Sequence, residues 1–307
     1  MTSVLYDVPG PRAVLRNRVL GVATVVVVAA LIALVVWRLA VTGQFSAAKW
    51  SIFTYTNVWV QIGLSAVRTL AAFAAAGVGA IVLGFVLAIA RLSEHRWVRI
   101  PATVIVEVLR AVPVLIFMML LYYGLPVIGI RLDSYWAVVI ALVAYNGSVL
   151  AEVIRAGVVS LPGGQSEAGY AIGLRKSGVM RLILLPQALR AMMPVVIAQL
   201  VVTLKDTALG FIITYPELLY YAKLIGSNAV YGSPLIPAAL VSGSIYIALC
   251  LGLSYLARVV EKRTSRAPGV ARTEPIDPRR HEEQTVTQVL SAQIDPLDVP
   301  GDGGPSR

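Results

Sequence analysis

Charge is scarce in this chain of 307 residues: only 14% are Asp, Glu, Lys or Arg, against about 25% in ordinary soluble domains. A soluble protein with 58% hydrophobic residues and a mean hydropathy of +0.78 would expose large apolar patches. Lipid removes that difficulty, so composition predicts an integral membrane protein. Cysteine is nearly absent. Cys250 stands alone within an apolar segment, which excludes a disulfide within the chain and a cysteine-based metal site. The two histidines, His95 and His281, are isolated and read as solvated loop residues. Acidic residues number 16 against 26 Lys+Arg. Long apolar runs break up that basic excess, which argues against nucleic acid as a partner. No Gly-x-x-x-x-Gly-Lys-Ser/Thr phosphate loop occurs, and no metal cluster or Ser/His/Asp or Cys/His set suited to catalysis. The expected numbers of catalytic residues, metals and cofactors on this chain are therefore all zero.

What is present is a series of uncharged runs. A spanning helix needs about 20 mostly apolar residues, and the charges punctuate the chain at about that interval. Residues 19–37 make the first span, and 69–90, between Arg68 and Arg91, the second. Residues 111–130 are the uncharged part of a third that starts near Val104, and 134–151 are the fourth. The fifth contains 191–204 and runs on to about Ile213; the sixth lies within 235–257. The first run is longer than a signal-peptide core and has no small-residue cleavage site after it, so a retained helix is expected. The fold class read here is an all-α membrane protein with six transmembrane helices.

Placing the N-terminus inside puts fifteen lysines and arginines near the span ends on that side and six on the other. Basic residues favour the cytoplasmic face, so both termini are expected in the cytoplasm of a multi-pass protein of the cell membrane. Trp50, Phe53, Tyr55 and Trp59 suit the membrane–water interface and predict an outer interfacial segment. From about Thr264 charge and proline rise and apolar periodicity vanishes, so 264–307 reads as a disordered tail with room for a short helical patch at 286–292.

The longest inner connection before the tail, 160–186, contains Gly164-Gln165-Ser166-Glu167-Ala168-Gly169-Tyr170-Ala171-Ile172-Gly173, then nine residues, then Ile183-Leu184-Leu185-Pro186. Two short helices joined at Gly173 are expected, because glycine suits the left-handed residue that ends a helix. Ser166 reads as the N-cap of the first. A compact helical elbow tied to spans at both ends would act as a lever.

This stretch resembles the EAA loop of ATP-binding-cassette (ABC) importer permeases: Glu-Ala-Ala, three residues, Gly, nine residues, Ile-x-Leu-Pro. Glu167, Ala168, Gly173, Ile183, Leu185 and Pro186 match at the right spacings, while Gly169 departs, standing where the family has Ala and weakening the local helix slightly. Flanking runs are similar to the polar-amino-acid branch: Ala144-Tyr145, Glu152, Arg155, Gly157, Pro186 to Arg190, Leu204 to Leu209, and Arg110-Ala111-Val112-Pro113. The resemblance covers about Gly63 to Arg263 and is greatest to glutamate permease subunits. It implies a five-helix type I importer core at 63–263, an additional N-terminal helix and outer segment at 19–62, and an N-terminal tail at 1–18. It also implies that Gln165, Glu167, Ala168, Gly169, Gly173 and Arg175 form a coupling loop seated in an ATPase subunit on the cytoplasmic side. Two ATPase subunits would bind the ATP and Mg. The other implied partners are a sibling permease or second copy of this chain, an extracellular or lipid-anchored amino-acid-binding protein, and membrane lipid. An ion-coupled secondary transporter and a non-transporting scaffold are the alternatives; the first would call for internal repeats and interrupted helices with mid-membrane ionisable groups, and no repeat is evident.

Charged residues at membrane depth are costly and tend to face a cavity. Lys205 and Asp206, with Thr207 beside them, are therefore candidates either for the substrate path or for structural pairing with neighbouring helices or a second permease, and because they point about 100° apart on a helix one could serve each purpose. Arg68 and Asn146 are weaker candidates. Arg68 also suits a snorkelling cation opening the second span, and Asn146 with Gly147 and Ser148 suits helix packing. Glu107 with Arg110, and Glu152 with Arg155, read as local ion pairs at i,i+3. Pro113 and Pro194 are expected to kink their helices.

Overall fold

The computed structural model describes residues 11–264, and every regular element among them is helical. Two units divide the described residues, 11–30 and 31–264. Helix α1 (Pro11–Val41) carries no charge between Arg18 and Arg38. Its 31 residues span about 46 Å at 1.5 Å per residue, enough to cross a hydrocarbon core. The expected disordered tail beyond Thr264, with His281 and the patch at 286–292, and the first ten residues of the expected N-terminal tail lie outside the described residues.

Within 31–264 the short α2 (Ala47–Trp50) and a 3-10 turn (Ser51–Thr54) precede α3 (Thr56–Arg91). The aromatic segment is thus shorter than expected and the second span longer. The Trp50 indole donates to the Gln44 carbonyl and the Trp59 indole, already in α3, to the Phe53 carbonyl. Arg68 does not open this span: the helix starts twelve residues before it. The apolar periodicity continues through Arg68, and the guanidinium turns out to a carbonyl beside the helix, so one cation does not stop it.

Along α3, Ala72, Ala76, Ala80, Gly84 and Ala88 recur every fourth residue and all are buried. Helix α6 (Ser134–Val159) packs against this stripe with its own small residues Ala137, Ala141, Gly147, Ser148 and Ala151. A Cβ placed on Gly84 would lie 2.8 Å from the Leu150 Cβ and 2.9 Å from the Gly147 carbonyl oxygen. Without a hydrophobic drive between helices in lipid, such close backbone approach supplies the packing energy. Asp133 caps α6 by accepting from the Tyr135 amide at 2.8 Å.

The third span is not one straight helix. Helix α4 (Arg96–Ala111) meets α5 (Val114–Met119) at a bend of 96°. Pro113 has no amide to donate, and it drives Val112 out of the helical region to φ −86°, ψ 122°, as prolines do to the residue before them. A π-helical turn (Leu120–Gly124) and a 3-10 turn (Leu125–Ile128) complete the segment, closed by Gly129 at φ +85°. Among the described residues five helices are long and apolar enough to span a membrane, or six if the bent pair counts as one.

After α6 come α7 (Gly163–Ala171) and α8 (Lys176–Gly178). The latter is not a separate helix of the elbow. It runs through a π-helical segment (Val179–Leu184) into α9 (Leu185–Asp206) and a 3-10 stretch (Thr207–Ile213), giving one helix over Lys176–Ile213 that passes Pro194 unbroken. Helix α10 (Leu218–Gly226), not foreseen in the sequence, precedes α11 (Leu235–Thr264).

Candidate functional site

A cavity of about 830 Å³ opens at the 96° bend, where α4, α6 and α9 diverge. Glu107 and Arg110 reach it from α4, Tyr145 from α6, and Gln199 and Asp206 from α9, with Pro113 at the bend itself. The expected pair between Glu107 and Arg110 is not formed. Arg91, at the end of α3, takes Glu107 at 3.4 Å and Glu152 at 2.7 Å, and Arg155 holds the other oxygen of Glu152 at 2.6 Å. The local pair of Glu152 with Arg155 is present, but as one edge of this larger cluster. Arg110 makes no ion pair among the described residues, so its charge is presented to the cavity.

The substrate-path candidates are not gathered in one place. Asp206 lines the cavity. Lys205 turns away from it into a separate groove of about 400 Å³ beside Pro194, Ser254 and Arg258. Thr207 is fully buried and donates to the Leu204 carbonyl at 2.7 Å. Asn146 is fully buried too. It donates to the Leu142 carbonyl at 3.0 Å and accepts from Gln199 Nε2 at 2.7 Å, so it orients a cavity-lining amide without touching the cavity. Arg68 lies apart, donating to the Pro216 carbonyl at 3.4 Å while its own carbonyl accepts from the Tyr215 hydroxyl at 2.8 Å.

Near that turn sits Glu217, fully buried and unmarked in the sequence reading. Its carboxylate caps α10 by accepting from the Leu219 and Tyr220 amides at 2.8 and 2.7 Å, and it accepts from the Tyr246 hydroxyl of α11 at 2.5 Å. Glutamate is not among the residues that ordinarily mark an N-cap, so Glu217 before Leu218-Leu219 carried no clear signal in the sequence.

The elbow is built as follows. Pro162 precedes the first turn of α7, and Ser166 is not its cap: it sits inside the helix, donating to the Gly163 carbonyl at 2.7 Å. The helix begins earlier because Pro162 and the glycines after it take its first turn. At the other end Gly173 adopts φ +81°. The Leu174 amide donates to the Gly169 carbonyl and the Gly173 amide to the Tyr170 carbonyl, the paired closure of a Schellman motif. Gly169 is buried: a Cβ there would meet Val179 Cγ2 at 2.8 Å and Ile183 Cδ1 at 2.9 Å. Its departure from Ala therefore permits α7 to lie hard against the start of the Lys176–Ile213 helix. Gln165 accepts from the Gln187 side chain at 3.4 Å across the same contact. Glu167, Ala168, Tyr170, Ile172 and Arg175 are exposed on α7 and the turn after it, Ile172 by 76%. Lys176 pairs with Glu94 at 2.6 Å, tying the elbow to the α3–α4 turn and holding the Glu94 carboxyl below its ordinary range.

Residues 80–266 match the family described as the binding-protein-dependent transport system inner membrane component. The chain belongs to that family. It is a multi-pass membrane protein and a permease subunit of the polar-amino-acid branch of ABC importers. It is similar to the glutamate transport system permease protein GluD of Corynebacterium glutamicum, 39% identical over 226 residues, or 72% of this chain and 81% of that protein. The probable glutamine ABC transporter permease protein GlnP of Bacillus subtilis is 35% identical over 173 residues, covering 55% and 79%. Among solved structures the permease resembles an amino acid ABC transporter crystallised with histidines, with TM-score 0.62 and 28% identity over 70% of this chain and 97% of that one. The inward-facing MetNI methionine transporter shares the fold at TM-score 0.57 and 16% identity, over 69% and 100%. Permease subunits of such importers are not enzymes; ATP hydrolysis resides in separate ATPase subunits, and the ion-coupled and scaffold alternatives are thereby set aside.

Proposed function

We propose that the permease carries glutamate into the cell through the cavity at the α4–α5 bend. The observation that carries this reading is Arg110, a cation with no ion-pair partner among the described residues, facing a polar cavity large enough for an amino acid. A desolvated carboxylate is best met by a guanidinium. Glutamate has two carboxylates and one ammonium; Arg110 meets a carboxylate, and Asp206 and Glu107 flank the position where the ammonium would lie. The similarity to a glutamate permease agrees with this. Asn146 and Thr207 support the wall from behind. Lys205 and Arg68 serve the subunit contact and the outer turn.

In the same reading α7 is the coupling helix. Its exposed face, with Glu167, Ala168, Tyr170 and Ile172, seats in an ATPase cleft on the cytoplasmic side, with both termini on that side. The Gly169 contact makes α7 and the Lys176–Ile213 helix one lever, so movement of the ATPase reaches Gln199 and Asp206 directly. Two ATPase subunits, a sibling permease or second copy, and an amino-acid-binding protein complete the transporter. Residues 63–263 form its five-helix importer core, and α1 with the outer segment is an addition. Uptake of labelled glutamate in a strain lacking the permease, restored by the intact gene and competed by glutamate before glutamine, aspartate or arginine, tests the assignment. Competition by arginine alone would overturn glutamate while leaving the importer intact.

A further inference from the structure

Outside the cavity and the exposed face of α7, a second hollow of about 520 Å³ lies between the last turns of α3, the 92–95 turn and the start of the Lys176–Ile213 helix. Its floor is apolar, with Phe85 and Ile89 on one wall and Met180 and Leu185 on the other. Lys176 and Arg181 stand at its rim. Lys176 is matched by Glu94 at 2.6 Å. Arg181 is exposed and makes no ion pair among the described residues.

Two observations place this hollow where chain meets headgroup. The α3 face leading to it is exposed and apolar through Val78, Val82, Val86 and Ile89, which is how a helix meets acyl chains. His95 lines the hollow and stacks with Trp97, 76% exposed, at a centroid distance of 6.0 Å, and indoles of this kind settle at the membrane–water boundary. An apolar slot open to lipid therefore ends in an unmatched guanidinium at headgroup depth. Basic pockets between spans recognise anionic headgroups.

We propose that this hollow holds one anionic phospholipid, with an acyl chain along Phe85, Ile89 and Met180 and the phosphate on Arg181. The inference rests on the membrane-spanning character of the chain and on neither the glutamate nor the coupling reading.

The test is native mass spectrometry of the assembled transporter after exposure to phosphatidylglycerol and phosphatidylcholine of matched chains. Phosphatidylglycerol should be retained in preference to phosphatidylcholine. Arg181→Gln should lower its retention about fivefold, the worth of one cation near an anionic headgroup. Ile89→Trp, which fills the floor, should abolish retention of either lipid, with helix content by circular dichroism showing that both variants fold. Equal retention of the two lipids, or wild-type retention by Arg181→Gln, would overturn the proposal. So would displacement of phosphatidylglycerol by inorganic phosphate, which would make the site one for a free anion. Loss of a partner subunit instead of lipid from Ile89→Trp would make the hollow a protein interface and equally refute it.

Discussion

Arg91 and Glu152 stand 61 residues apart in sequence and 2.7 Å apart in space. Their ion pair ties the end of α3 to α6 beside the buried small-residue stripe. The Arg91 side chain is only 9% exposed, so its removal leaves Glu152 leaning on Arg155 alone.

Arg91→Ala is expected to destabilise the permease by about 2 kcal/mol, the worth of a hydrogen bond to a charged group in a shielded setting. Glu107→Ala should cost far less, since Glu107 is 59% exposed and its contact is 3.4 Å long. Thermal unfolding of the purified protein in detergent, compared across the two variants, checks this order.

Arg110→Gln should raise the KM for glutamate uptake about tenfold or more, from loss of a charge-assisted hydrogen bond. Asp206→Asn should also impair transport, and Lys205→Ala should disturb it least, because Lys205 faces another groove. Uptake kinetics in whole cells settle the ranking, and a larger defect at Lys205 than at Arg110 would move the substrate path.

Gly169→Ala would force a methyl into Val179 and Ile183 and push α7 off the Lys176–Ile213 helix. ATPase co-purification and uptake should both fall, and Val179→Ala in the same chain should restore part of each by making room. Failure of the second change to rescue would show that the contact is not what positions α7.

Glu167→Lys should leave the permease folded while reducing ATPase docking or uncoupling hydrolysis from uptake. Glu167 is exposed on α7 and makes no ion pair among the described residues, so charge reversal there perturbs no internal contact. Co-purification assays and transport in vesicles read the two outcomes. Normal docking together with normal transport would remove α7 from the coupling role.

Burial, with Tyr135 beside it, pushes the Tyr215 hydroxyl up to about 12, above the usual value of about 10 in an unfolded chain. The protonated form is favoured by folding, so its contribution is fully present below pH 10 and is lost as pH rises towards 12. Tyr215→Phe should abolish that portion of the alkaline loss of stability, read by melting temperature between about pH 9 and pH 12.

The spans and the turn at Gly173 were legible in the sequence because their signals are local, whereas the second short helix expected after that turn is the start of the Lys176–Ile213 helix. Uncharged runs mark spans whatever they pack against, and Gly173 announces a left-handed residue without any tertiary context. The break at Val112 was half legible: Pro113 was visible, but a proline equally sits in α9 at Pro194 without interrupting it, and only neighbouring helices decide between the two. The cavity was obscured by a sound local rule. Glu107 and Arg110 have the spacing of an ion pair, yet Arg91 arrives from another helix and takes the carboxylate, leaving Arg110 without an ion pair among the described residues. Gly169 looked like a small weakness and is instead where α7 comes close to Val179 and Ile183, since its value lies in what a methyl would strike. Glu217 went unread because its partners, Tyr220 and Tyr246, lie on two different helices.

The alanine and glycine ladder shared by α3 and α6 has a mechanical consequence. Two backbones that interlock with little more than single carbons between them cannot glide past one another, so they must travel as a single strut. If α7 has the coupling role proposed for it, a stroke delivered there has to be absorbed elsewhere, and the 112–113 joint, where no continuous helical hydrogen bonding resists flexure, is the natural pivot.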